Sequence, residues 1–173
     1  MRRTDRLRHL RRRAARSAAR PNVLFGGVYG AVLATSLVAA LSRGGAPTDG
    51  LYDAQWILAA AFASAMAHGY AHVIARRGSE GRSGVDVARV LADEWPLIAA
   101  TLPTVVLLVG AGLGWWGSSR IEYVAFGVNI ALLFGIGLFA SRCAGRRWRT
   151  AAATGGADAL LGLAVVGANA VIK

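Results

Sequence analysis

Residues 54–75 read AQWILAAAFASAMAHGYAHVIA, twenty-two positions that carry no Asp, Glu, Lys or Arg and two histidines, His68 and His72. A bilayer core about 30 Å thick is crossed by about twenty apolar residues in a helix, so this stretch is read as a membrane span. Ala59, Ala63, Ala67, Ala71 and Ala75 recur at every fourth position. That spacing makes a small-residue stripe on which a neighbouring helix is expected to pack closely. His68 and His72 lie four apart and share a face.

Four more apolar runs flank this one, in a chain of 173 residues that is 55% hydrophobic. Mean hydropathy is +0.44, which excludes an ordinary soluble domain. The expected architecture is all-α: a five-helix transmembrane bundle with spans at about 22–41, 54–75, 96–114, 121–140 and 151–172, preceded by a basic tail at 1–21. These spans leave no length for a second domain. In the first of them Gly26, Gly30 and Ala34 form a small-residue packing row. Residues 42–53 read as a turn region and 76–94 as a polar loop. Pro96 falls in the first turn of the third span, and Pro103 inside it predicts a kink.

The tail, MRRTDRLRHLRRRAARSAAR, holds nine arginines and one aspartate, most of the formal net charge of +11. It has no aromatic residue on which a base could stack, so nucleic acid is disfavoured as a partner. Anionic lipid headgroups are favoured instead, with Arg11, Arg12, Arg13, Arg16 and Arg20 as the contacting residues. Leu7, Leu10 and Ala14 are spaced for a helix lying on the membrane surface. A signal peptide is the alternative, but the run from Asn22 to Leu41 exceeds a typical h-region and no clear A-x-A site follows it.

Seventeen of the twenty Lys and Arg residues fall in the tail, in 76–94 or in 141–150, on one side of the expected spans. Arg43, Arg120 and Lys173 fall on the other. Positive residues stay in the cytoplasm, which places the N-terminus inside and the C-terminus outside a bacterial inner membrane. All five tryptophans fall near expected span ends, where aromatic belts form.

Counting about 1.5 Å per residue from each span's centre puts His68, Asp158 and Tyr29 roughly 5 Å on one side of the midplane and Asn129 roughly 3 Å on the other. A shared depth permits one polar cluster. In it Asp158 would pair with His68, and the set would suit proton relay or cation binding. The plainer reading is an interhelical pair that only fixes the bundle. His72, near the interface with Asp93 and Glu94 expected beside it, completes an H-x3-H pattern with His68 and is the candidate for holding a divalent cation; no other cofactor is implied. Cys143 excludes an intrachain disulfide and reads as a small tolerated residue rather than an acylation site. No G-x-S-x-G, P-loop or C-x-x-C occurs, so an enzyme is not expected. Five spans do not divide into equal inverted halves, which favours a homo-oligomer for any transport path.

GVYGAVLATSLVAAL, AHGYAHVIA and DEWPLIAATLPTVVLL together resemble a group of small, uncharacterised bacterial integral membrane proteins, over most of residues 22–173. That resemblance implies no activity. More distantly, the first span and Met66-Ala67-His68-Gly69 are similar to the vacuolar iron transporter family. By that similarity Met66 matches the methionine on the family's metal path. Tyr29 and Tyr70 stand where the family has an aspartate and a glutamate, and its glutamate-rich helices after the second span are missing.

Overall fold

The computed structural model describes residues 21–42, 49–80, 87–117 and 120–171. The basic tail at 1–20, with the arginines expected to contact lipid headgroups, lies outside them. The described chain is all helix: α1 (Pro21–Leu41), α2 (Gly50–Glu80), α3 (Val87–Ala92), α4 (Trp95–Gly112), α5 (Ile121–Cys143) and α6 (Trp148–Val171). All but α3 contain a segment long and apolar enough to cross a membrane, and large apolar side chains such as Phe62, Val106, Phe134 and Leu160 point outward as they do toward lipid.

The expected spans are present with shifted ends. α2 begins at Gly50 because the Asp49 side chain caps it, Oδ1 accepting from the backbone N–H of Leu51 and of Tyr52, both at 3.2 Å. It then runs on to Glu80. The stretch read as a loop therefore contains the end of α2 and the short helix α3. Two helices stop in the same way, with the chain turning at a left-handed glycine. Gly114 (φ 75°) follows α4 and Gly145 (φ 77°) follows α5. In each, the next N–H reaches back to an orphan carbonyl, Trp115 to Gly110 at 2.9 Å and Arg146 to Ser141 at 3.2 Å. α4 continues through Pro103 to Gly112.

α1 is the hub, packing on α4, α5, α6 and α2. Its buried residues form two adjacent four-residue rows, Gly26-Gly30-Ala34-Val38 and Gly27-Ala31-Thr35-Ala39. The first row is the one expected from sequence, and it faces α4: a Cβ on Gly30 would run into the Leu97 carbonyl. The second row turns Gly27 toward Ile136 of α5. Asn169 ties α6 to the same helix, its Nδ2 donating to the Ala39 carbonyl at 2.7 Å.

The alanine stripe on α2 does not meet a helix. Ala59, Ala63, Ala67, Ala71 and Ala75 are all exposed, and α2 packs instead through Ala54, Ile57, Ala61, Ala65 and Val73. Small residues occur on both faces of α2, and the face that also offers Ile57 and Val73 buries more apolar surface against α1 and α4.

Candidate functional site

α5 carries a row of six buried residues at four-residue intervals: Ile121, Ala125, Asn129, Leu133, Gly137 and Ser141. Ile121 and Ala125 join the core made with α1, α2 and α4, whereas α6 packs against the later part of the row, where Leu133 meets Gly162 and Gly137 meets Gly155. Asp158 of α6 occupies the space that the missing side chain of Gly137 leaves: a Cβ there would collide with Asp158 Oδ2. Among the described residues the Asp158 carboxylate has no hydrogen bond or ion pair.

Among the described residues α5 carries two orphaned polar groups. Asn129 is fully buried; its Oδ1 accepts from Thr104 Oγ1 of α4 at 2.8 Å, while its Nδ2 has no partner. Ser141 Oγ, also buried, has none either. Along α5, Ser141 lies about 6 Å and Asn129 about 12 Å from Gly137, in opposite directions. Along the α5 axis the carboxylate therefore lies between two unsatisfied hydrogen-bonding groups, which are about 120° of helical rotation apart. Such groups in a buried seam are positions that water can join.

His68 is elsewhere. Phe25 and Tyr29, one turn apart on α1, stack at 6.1 Å and receive its ring, with centroids 5.6 and 4.7 Å away. Nδ1 lies 3.2 Å from the Ser64 carbonyl of its own helix. A carbonyl only accepts, so Nδ1 is the donor in this contact. The expected partners His68 and Tyr29 do meet. No described contact joins His68 to Asp158: α2 packs on α1, α3 and α4, whereas α6 packs on α5 and α1.

His72 does reach Glu94, with Nε2 3.6 Å from Oε1. α3 makes this approach: Leu91 fills the space above Gly69, and the turn after it delivers Glu94, 7% exposed, to the side of α2. Met66 does not join them. It is 43% exposed and lies six residues, about 240° of helical rotation, from His72. Among the described residues no three His, Cys, Asp or Glu side chains converge as metal ligands would.

Sequence reading thus singled out Asp158, Asn129, His68, Tyr29, His72 and Glu94, and missed Gly137, Thr104 and Ser141. The four-residue period of α5 was the signal for Ser141. Nothing local signals Gly137, whose role depends on which helix lies opposite. Compared with known proteins, the chain matches no family model, no curated protein and no solved structure.

Proposed function

We propose that this protein moves protons across a bacterial inner membrane, along the α5–α6 seam, with Asp158 as the group that takes up and releases the proton. The observation that carries the reading is the position of Asp158 within an apolar helix long enough to cross a membrane, without a partner among the described residues and with the orphaned Ser141 Oγ and Asn129 Nδ2 to either side of it along α5. An ionisable side chain in a span costs a few kcal/mol by insertion scales, and such residues mark ion pathways and proton relays. Ser141 and Asn129 supply the hydrogen-bonding positions through which water would connect the carboxylate to either side. A small monovalent cation is the alternative cargo, since the same carboxylate would attract it.

The chain carries this path with its N-terminus in the cytoplasm, its arginine tail on anionic headgroups and its subunits associated as a homo-oligomer. A second reading, a non-transporting assembly protein, is favoured by the Thr104–Asn129 hydrogen bond and the Phe25–Tyr29–His68 ring cluster. Both are clamps between helices. Proton flux into proteoliposomes under an imposed potential separates the two. Asp158→Asn should reduce flux at least tenfold and Ser141→Ala several-fold, with melting temperatures close to wild type. Wild-type flux no greater than that of empty liposomes would leave the assembly reading.

A further inference from the structure

A pocket of about 260 Å³ opens where α1 ends, α5 begins and α6 ends, lined among others by Ser42, Glu122, Tyr123, Phe126, Val166 and Asn169. We propose that it binds a small organic ammonium ion, with the charged nitrogen on the Glu122 carboxylate and the hydrocarbon part against Phe126 and Val166. Among the described lining residues Glu122 is the one that carries a charge, and no Lys, Arg or His stands with it. The Glu122 side chain is half-buried and has no hydrogen bond or ion pair among the described residues, Arg120 included. A carboxylate at the wall of a pocket, without a cation of its own, is a receptor for one.

The rest of the wall selects the same ligand. α1 and α6 present their C-terminal ends here, and a helix C-terminus is the negative end of the backbone dipole, which draws a cation. Glu122 stands in the first turn of α5, at the positive end of that helix, a position that suits a negative side chain. The Ser42 hydroxyl hydrogen is committed to the Val38 carbonyl at 2.7 Å, so the oxygen has only lone pairs left to offer. An ammonium N–H is a donor that suits both acceptors. Tyr123 and Phe126 meet edge to face with centroids 6.4 Å apart, and aromatic faces attract cations as well. A bare metal ion is served less well. Calcium takes about six to eight oxygen ligands, and one carboxylate beside an apolar wall does not supply them. Pockets for drug-sized molecules run from about 300 to 1,000 Å³, so this smaller one suits an amine of a few carbons.

Glu122 and Gly137 are separated by roughly 22 Å along α5, so the site stands or falls separately from Asp158 and proton movement. A ligand-observed NMR titration of the detergent-purified full chain with n-butylammonium reads it directly, with 1-butanol as the neutral analogue and butyrate as the anionic one. Butylammonium should saturate a single site per chain and bind at least tenfold more tightly than either analogue. Glu122→Gln should weaken it at least tenfold at an unchanged melting temperature and erase the preference over 1-butanol. Ala170→Leu, which narrows the pocket from its exposed rim, should weaken it too, whereas Asp158→Asn should bind as wild type does. Undiminished binding in Glu122→Gln, equal binding of 1-butanol by wild type, or displacement of the amine by equimolar calcium would overturn the proposal. So would the absence of saturable binding in wild type, the result expected if Arg43 or Lys173, both outside the described residues, supplies the cation from within the chain.

Discussion

Asp158 and Gly137 are one device made by two helices, because the carboxylate fits only where the opposite helix has no side chain. Gly137→Ala should therefore destabilise the protein by about 1–3 kcal/mol, the usual cost of overpacking, and should also impair flux. Gly127→Ala on the same helix meets nothing within 4 Å and should be neutral or stabilising, by up to about 1 kcal/mol from helix propensity. Chemical denaturation of both in one detergent checks the contrast. Asn129 gives a second prediction. Thr104→Val removes its only described hydrogen bond, and interhelical bonds in membranes average about 0.6 kcal/mol with a maximum near 1.7, so a loss of that order is expected. A loss of the same size when Asn129→Leu is already present would show that the two side chains are not coupled. Polar residues within spans are legible in a sequence because they are rare. Their partners are not, because periodicity gives the face of a helix and says nothing of which helix lies opposite.

At the scale of the element, span positions followed from length and hydropathy, and the Gly26-Gly30-Ala34 row met α4 as expected. The more regular Ala59-to-Ala75 row stays exposed, since small residues permit close packing without compelling it. Depth proved a weaker guide still: counting along the spans sets His68 and Asp158 at one level, yet His68 meets α1, Asp158 meets α5, and no described contact joins the two. A mutant cycle should accordingly give additive costs for His68→Ala and Asp158→Asn, within about 0.3–0.5 kcal/mol. A coupling of 1 kcal/mol or more would place the two helices together. The short helix α3 was hidden because its six residues carry no periodicity that a loop with both signs of charge would lack.

For the whole molecule, the charge asymmetry makes topology testable. A reporter fused after Lys173 should be accessible from outside the cytoplasm and one before Met1 should not. The same side for both would remove one of the five spans. The central claim, that Asp158 exchanges a proton inside the membrane, is tested most directly by infrared difference spectroscopy on the reconstituted protein as external pH is changed. A protonated-carboxyl band should appear and disappear reversibly in wild type, be lost in Asp158→Asn and persist in Glu94→Gln and Glu122→Gln. A band unchanged in Asp158→Asn, or none at any pH, would contradict the account.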